Sequence, residues 1–529
     1  MKKEDDQFLL AVYDISGIQE YIFASNRLRE NIGGSYIVGS MMRTHFPKVL
    51  KQVASERNGE VMTDWEKAPF RLFDYANALA EVIYIGGGNA LAVYRDWKLY
   101  NEVNKQFSLA VIQESYTLTL VTEAIAFSLS EGNSYDHLVK RLMEKLDRTK
   151  SEIIRSKPLG TLPIFTQERF GGWPVTSVDK NANDEEVSTE QALKRKEALD
   201  RSPQELFPLP DKYKSLNWAK EMEDMKRKKG EDSYVAVVHI DGNGMGQWLR
   251  KELHNLKDKP IAEQIEHHRK LSKQITSRYS DQFTSVINEL SFKSKDSAIP
   301  IRPLILDGDD VTFICRADWG IPLAQAFLRR LEKDSAEYPI SACAGIALVH
   351  SHFPFQIAYE IAEECCQTAK KKYYENKQGS YLDFHLVRGS YVQTRQEQLS
   401  QGLNRKQQRP YQVKADCDRK DINSIDALAQ VIHKMKQTPD QLQGAWPRSR
   451  LVRLYQAYLQ TDEAAHLVKE EAASRGYSLS YFMDEIQPID EAQESDNEVD
   501  GLLFDALELL ESYECDLFEA KEEKHNERI

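Results

Sequence analysis

The sequence has few cysteines, no long apolar run and fewer positive charges than negative, and each shortage bears on a class of protein. Six cysteines stand among 529 residues, Cys315, Cys343, Cys365, Cys366, Cys417 and Cys515. None forms a Cys-x-x-Cys pair, which argues against both a disulfide framework and a zinc ribbon. Adjacent Cys365 and Cys366 fall in a helical pattern, where packing is the expected role. No run approaches the roughly 20 apolar residues that cross a bilayer. The opening Met1-Lys2-Lys3-Glu4-Asp5-Asp6 lacks the apolar stretch of a secretory signal. A cytoplasmic protein without membrane contact is therefore expected. With 70 Lys and Arg against 83 Asp and Glu, the formal charge is −13. That balance removes the simplest argument for autonomous nucleic-acid binding and leaves room for a local basic groove.

At about 150 residues per domain, the length predicts three or four units. Two of them are copies of one α/β unit. Residues 8–14 form a mostly apolar run ending in Asp14 and followed by Ile15-Ser16-Gly17; residues 234–241 form another, ending in Asp241 and followed by Gly242-Asn243-Gly244. Both read as buried strands closed by an acid and a turn of small residues. Farther along, 82–85 turns through Gly86-Gly87-Gly88-Asn89 into 90–93, and 303–306 turns through Asp307-Gly308-Asp309-Asp310 into 311–315. Each reads as a hairpin. Segments 117–127 and 340–350 then alternate like strands, each ahead of a helical stretch, 135–150 and 354–372. Between the copies, 158–233 reads as an irregular connector with short helices. Mixed-charge 248–290 reads as a helical insertion in the second copy, and the chain beyond about 421 as a helical domain. Segment 484–500 holds eight acidic residues and no Lys or Arg, so a solvated loop is expected there.

The second copy brings carboxylates to a strand end and a hairpin tip. If those strands are neighbours, Asp241 meets Asp309 and Asp310, and three such carboxylates do not all stay ionised without a cation. Hard oxygen donors favour Mg²⁺ or Mn²⁺, and two such ions activate an attacking hydroxyl and neutralise a leaving pyrophosphate. Gly242, Gly244 and Gly246 allow backbone N–H groups to approach a triphosphate, and Gly308 frees the hairpin turn for a nucleotide. Lys370, Lys371 and Lys372 end the following helix, where a cation reaches phosphate oxygens. The plainer reading is that Asp-Gly forms ordinary turns and that lysines suit a helix C-terminus. The first copy keeps Asp14, but its tip, Gly87-Gly88-Asn89, carries no carboxylate. It reads as a nucleotide-binding partner or as a scaffold.

Taken in order, these residues resemble the large polymerase-type subunit of type III CRISPR effector complexes, a family with two palm domains related to GGDEF and nucleotide cyclases. Asp14-Ile15-Ser16-Gly17-Ile18-Gln19-Glu20-Tyr21-Ile22-Phe23, with Leu28-Arg29 and Gly34-Ser35, is similar to the opening of the family's first palm. Gly86-Gly87-Gly88-Asn89 is similar to its degenerate first hairpin. Asp241-Gly242-Asn243-Gly244-Met245-Gly246 resembles the second-palm metal loop, and Asp307-Gly308-Asp309-Asp310 stands where the family has Gly-Gly-Asp-Asp. Cys343-Ala344-Gly345-Ile346 with Ala369-Lys370 resembles the later strand and the phosphate-contacting helix.

The resemblance implies an α/β (α+β) fold with two tandem ferredoxin-like palms. The first palm would span 1–155, a connector 156–232, a catalytic second palm 233–395 with its insertion at 248–290, and a C-terminal helical domain 420–529. It implies a nucleotidyltransferase that makes a cyclic oligoadenylate-type second messenger from ATP in antiviral defence. Asp241, Asp309 and Asp310 would be catalytic and hold two Mg²⁺ or Mn²⁺ ions, and Lys370 would contact the triphosphate. Gly242, Asn243, Gly246 and Gly308 of the second palm, with Ser16, Gly87, Gly88 and Asn89 of the first, would surround the nucleotides. Other effector-complex subunits and guide or target RNA are the implied partners.

Several features depart from the family. Asp307 replaces the first hairpin glycine and adds a negative charge. None of the twelve histidines is followed by Asp, so no HD nuclease is expected, and 162–176 has no cysteine where relatives carry zinc ligands. Two alternatives stay open: a non-catalytic RNA–protein assembly subunit, and a dinucleotide cyclase using another base. Arg27, Arg29 and Arg148 are weaker cleft candidates beside the plainer reading of exposed helix faces. His267-His268 reads as a surface helix feature, and Trp218, Trp248 and Trp446 as packing residues.

Overall fold

The computed structural model describes residues 7–132, 134–153, 164–169, 171–225, 234–292, 298–334, 340–388, 407–437, 446–484, 486 and 495–518. The first palm begins with β1 (Gln7–Ser16), whose residues 8–13 are all buried. That explains its near-continuous apolar run, since both of its faces are covered. The chain continues through α1 (Ile18–Phe23), α2 (Leu28–Ser40), a π-helical turn Met41–His45 and α3 (Phe46–Ser55). Next come β2 (Glu60–Met62), the hairpin β3 (Ala78–Gly86) and β4 (Asn89–Tyr94), then α4 (Trp97–Ser115), β5 (Thr119–Ser128) and α5 (Tyr135–Glu152). The side chain of Asp96 starts α4 by accepting from the Leu99 N–H at 2.8 Å. The sheet order is β2-β3-β4-β1-β5.

The segment read as an irregular connector is more ordered than its composition suggests. It forms a small hairpin, β6 (Ser177–Asp179) and β7 (Glu185–Val187), then α6 (Thr189–Asp200), α7 (Pro203–Leu206) and β8 (Asn217–Trp218). A capping box of Ser188 and Gln191 starts α6. The helix lies so close on α2 that a Cβ on Gly33 would stand 1.7 Å from the Lys194 carbonyl oxygen. Lys194 and Arg195 look solvated in sequence yet are buried, neutralised by Glu190 at 2.5 Å and Glu30 at 2.6 Å.

The second palm runs β9 (Tyr234–Gly242), α8 (Met245–His254), α9 (Ile261–Asn288), β10 (Ala298–Ile299), β11 (Ile301–Asp307), β12 (Asp310–Arg316), α10 (Ala317–Lys333), β13 (Ala342–His350), α11 (Phe355–Asn376), β14 (Ser380–Leu386) and β15 (Tyr411–Val413). Its sheet order is β11-β12-β9-β13-β14-β15. The quartets β3-β4-β1-β5 and β11-β12-β9-β13 therefore share one order, with every neighbour pair antiparallel. This is the ferredoxin-like sheet, present twice.

Alternation along β9 divides the core. Val235 and Val237 pack with the first palm's helices and α11, whereas Ala236, Val238 and Ile240 pack toward α9, α10 and the C-terminal helices. Each fully buried side chain of Val or Ile size contributes about 1.5–3 kcal/mol, so the palms share a core. Phe23 on α1 stacks on Tyr359 of α11 with ring centroids 4.4 Å apart.

Helix α9 also reaches the first palm. Arg269 Nη2 meets Glu81 Oε1 of β3 at 2.9 Å, and both side chains are buried. His268, expected on a surface face, is buried as well, with Nδ1 2.8 Å from the Tyr135 hydroxyl. Helices Ile425–Gln437, Arg448–Tyr458, Asp462–Ser474 and Ser495–Glu508 close the far side of the second palm. Residues 495–500 thus begin a helix rather than a loop, and the rest of the acidic stretch lies largely outside the described residues. Among the described residues, no helix is long and apolar enough to cross a membrane.

Candidate functional site

The antiparallel register sets Asp310, the first residue of β12, directly across from Asp241 near the end of β9. Gly308 at φ 63° lets the hairpin reverse in two residues. The turn then brings Asp309 beside Gly242, where a Cβ would stand 2.7 Å from Asp309 Oδ2. The three acids read from the sequence are brought to one place. Lys370 joins them from α11: its Nζ donates to Asp241 Oδ2 at 2.5 Å and to the Gly242 carbonyl at 3.1 Å. Gly345 in β13 permits this approach, because a Cβ there would stand 1.9 Å from the Ala362 carbonyl oxygen of α11.

Charge crowding shapes the site. Burial, and then the Asp241 carboxylate, raise the Asp309 carboxyl above its ordinary range. Burial with Asp241 and Asp309 drives Asp310 up farther. Burial pulls the Lys370 ammonium down, but Asp241 more than offsets this and raises it. Below the acids, His239 Nδ1 lies 3.1 Å from Thr312 Oγ1, and burial lowers its imidazole to about 4, leaving it neutral at pH 7.

Four carboxylates, Asp241, Asp307, Asp309 and Asp310, stand against two cations, Lys370 and Arg43. That surplus, on hard oxygen donors, fits a divalent cation such as Mg²⁺ or Mn²⁺. The placement differs from the expected metal cluster: among the described residues no group of three or more His, Cys, Asp or Glu is drawn into a cage.

The first palm repeats half of this arrangement. Asp14 lies across from Asn89, and Lys150 Nζ meets Asp14 Oδ2 at 2.8 Å. Lys150 and Lys370 are each the sixteenth residue of their helices, α5 and α11. Burial raises the Asp14 carboxyl, with Lys150 opposing it. The tip holds no acid: Gly87 and Gly88, at φ 60° and 75°, close a two-residue turn.

The two tips face each other. Asp307 Oδ1 lies 3.7 Å from where a Cβ on Gly86 would stand, and Arg43 Nη2 reaches across from the π-helical turn to Asp307 Oδ1 at 2.9 Å. Between the palms lies a cavity of about 220 Å³, walled by Ile18, Ile22 and Ser35, by Gly87, Gly88 and Asn89, and by residues 304–307 with Asp309 and Asp310. The Ser35 hydroxyl donates to the Leu304 carbonyl across the same interface.

Other expected residues lie elsewhere. The Asn243 side chain turns inward, its Nδ2 donating to Ser341 Oγ at 3.0 Å. Gly246 is exposed, and Ser16 ends β1 across from Thr119, outside the cavity wall. Arg27 pairs with Glu185 at 2.6 Å, Arg29 lines a separate cavity with Arg195 and Ser351, and Arg148 is exposed on α5. Trp218, Trp446, Cys365 and Cys366 are buried, and Trp248 is half-buried. Sequence reasoning missed Lys150 and Arg43 as site residues, and named Ser35 only within the resemblance of the first-palm opening. Only Lys150 left a signal, its place in a helix matched to that of Lys370.

Comparison with known proteins fits this geometry. Residues 234–379 match the family described as Cas10/Cmr2, second palm domain. No curated protein matches the chain in sequence. Among solved structures, a Csm1–Csm4 cassette in complex with pppApA is similar in fold, with TM-score 0.57 and 14% identity, covering 97% of this chain and 70% of the other. The same cassette with cA3 gives 0.51 at 14% identity, and with one ATP 0.51 at 13%, each covering 97% of this chain and 70% of the other. Residues 234–379 thus carry a second palm of the Cas10/Cmr2 type, and the two-palm chain around them is similar in fold to Csm1.

Proposed function

We propose that the second palm is a metal-dependent nucleotidyltransferase that joins ATP into a cyclic oligoadenylate, with the first palm holding the acceptor nucleotide. The observation that carries this reading is the meeting of Asp241, Asp309, Asp310 and Lys370 beside a cavity whose opposite wall is the other palm's glycine hairpin. Asp241, Asp309 and Asp310 would hold Mg²⁺ or Mn²⁺, which when bound neutralises charge developing on the phosphates. Lys370 exchanges its carboxylate for a phosphate oxygen. Gly88 and Gly308 let the nucleotides lie against main chain, and Ile18, Ile22 and Leu304 keep water from the cavity. The similar Csm1 chains sit in cassettes with Csm4, which supports a place in antiviral defence among other effector subunits, with guide and target RNA as the activating ligand.

The test is incubation with all four NTPs and Mg²⁺ or Mn²⁺, with and without partner subunits and target RNA, followed by mass spectrometry. A cyclic adenylate product that disappears in Asp309→Ala/Asp310→Ala is expected; a product of another base would replace oligoadenylate with a different cyclase activity. The second reading, a non-catalytic assembly subunit, draws on Lys370 already occupying Asp241. Tight ATP binding without product in the assembled, RNA-bound complex would decide for it.

A further inference from the structure

Behind Arg43 the cavity between the palms adjoins a second, larger space. It measures about 750 Å³ against about 220 Å³ for the cavity, and Arg43, Leu206 and Leu306 line both. The only side chains common to the two walls are thus an aliphatic pair and the guanidinium that pairs with Asp307. The larger space runs between α3, the segment after β2, and α9. Besides Arg43, which is paired with Asp307, its wall carries three lysines, Lys51, Lys67 and Lys273, against two carboxylates, Asp64 and Glu66. In a chain with a formal charge of −13, this is a local reversal of sign. Lys273 donates to the Glu66 backbone carbonyl at 3.1 Å, which fixes its ammonium in the groove without neutralising it. Trp65 adds a half-buried aromatic face, and Thr63, Ser277 and Ser280 add hydroxyls.

Spaced cations, hydroxyls and one aromatic plane suit single-stranded nucleic acid: the cations track phosphates and the ring stacks a base. They suit a lone nucleotide less well, because the groove lies outside the cluster of Asp241, Asp309 and Asp310 that would hold a metal-bound triphosphate.

We propose that this groove carries an oligoribonucleotide whose one end occupies the cavity between the palms, so that the growing adenylate chain leaves past Arg43 along Lys51, Lys67 and Lys273. The inference rests on the function proposed above and adds a path for the product. Arg43 sits at the threshold, its partner Asp307 on the catalytic side.

The experiment measures binding of three probes to the full chain and to Lys51→Ala/Lys67→Ala/Lys273→Ala, with Mg²⁺ present: a non-hydrolysable ATP analogue, a 5′-triphosphorylated tetra-adenylate, and a 20-nucleotide mixed-sequence RNA. The analogue should bind both proteins alike, which also reports that the variant is folded. Three lost phosphate contacts should flatten the tetra-adenylate's log–log salt slope by about 2, at about 0.7 per contact on a single strand. Between 50 and 200 mM salt the wild type should then lose about 18-fold more affinity than the variant. The analogue should displace the tetra-adenylate, since both occupy the cavity. Unchanged tetra-adenylate binding in the variant overturns the groove. Binding that depends on the lysines but ignores the analogue overturns the product path and assigns the groove to external RNA, which the mixed-sequence probe would show. No binding of the analogue to the wild type sinks the nucleotide reading itself, and the groove with it.

Discussion

Replacing Arg269 by methionine asks what holds the second palm's insertion against the first palm. The Arg269 side chain is 4% exposed; Nη2 donates to Glu81 Oε1 at 2.9 Å and to the Val82 carbonyl at 2.5 Å, and Nη1 to the Ala68 carbonyl at 3.2 Å. Methionine fills much of the volume and leaves Glu81, itself 2% exposed, without its counter-charge. Breaking a buried pair from one side costs about 3–5 kcal/mol. Glu81 keeps the backbone N–H bonds of Arg71 at 2.9 Å and Leu72 at 2.7 Å, so the low end applies. At 1.4 kcal/mol per tenfold, a cost of about 3 kcal/mol makes α9 amides exchange roughly 100-fold faster through local opening. Hydrogen exchange by mass spectrometry over Ile261–Asn288 reads this directly. Adding Glu81→Gln removes the stranded charge and should recover most of the loss. A single-variant cost below about 1 kcal/mol, or a double variant as poor as the sum of its parts, would refute the idea that this pair clamps the palms.

Three further outcomes are expected. Asp310→Asn removes a carboxyl that burial and its neighbours hold well above the ordinary range. It should stop product formation yet stabilise the fold by about 1 kcal/mol at pH 7, a gain that fades in acid as the native Asp310 protonates; urea midpoints at pH 7 and 4.5 check the sign. Asp505, buried against Arg409 and Tyr411, is raised from 3.8 to about 6. The folded chain therefore binds a proton between those values that the unfolded chain does not. Stability of the C-terminal helices should rise by about 3 kcal/mol as pH falls through 6 toward 4, and Asp505→Asn should flatten the profile. Gly345→Ala forces a Cβ against the Ala362 carbonyl, at 1.9 Å, and lifts α11 with Lys370. It should cost about 1–3 kcal/mol of stability and weaken ATP binding, while Gly246→Ala, with open space around its Cβ, should leave stability unchanged.

The duplicated sheet was legible because strands and turns are local. Buried β1 and β9 show as apolar runs, and Gly87-Gly88 and Gly308-Asp309 are turn chemistry written in two residues. Once both hairpins are placed beside their strands, the meeting of Asp241 with Asp310 follows from the order of the sheet. What stayed hidden depends on partners distant in sequence. Arg195 looks solvated until Glu30, 165 residues earlier, supplies the counter-charge. His268 looks exposed until Tyr135 covers it, and Arg43 has no local signal because its partner Asp307 belongs to the other palm. The contact of Lys370 with Asp241 is equally hidden, since the two stand 129 residues apart.

The matched pairs Asp14–Lys150 and Asp241–Lys370 give the cleft a direction. Each cancels one charge at its own strand end, and Arg43 cancels Asp307. The imbalance left over resides in the two tips, where Asp309 and Asp310 face Gly87 and Gly88. One wall repels an anion and the other meets it with bare backbone, so two halves built on the same plan form a polarised slot. Under the activity proposed above, a triphosphate entering that slot would be oriented by its field before any chemistry begins. That polarity follows from acids that stand at the tip of one copy of the repeated fold and are absent from the tip of the other.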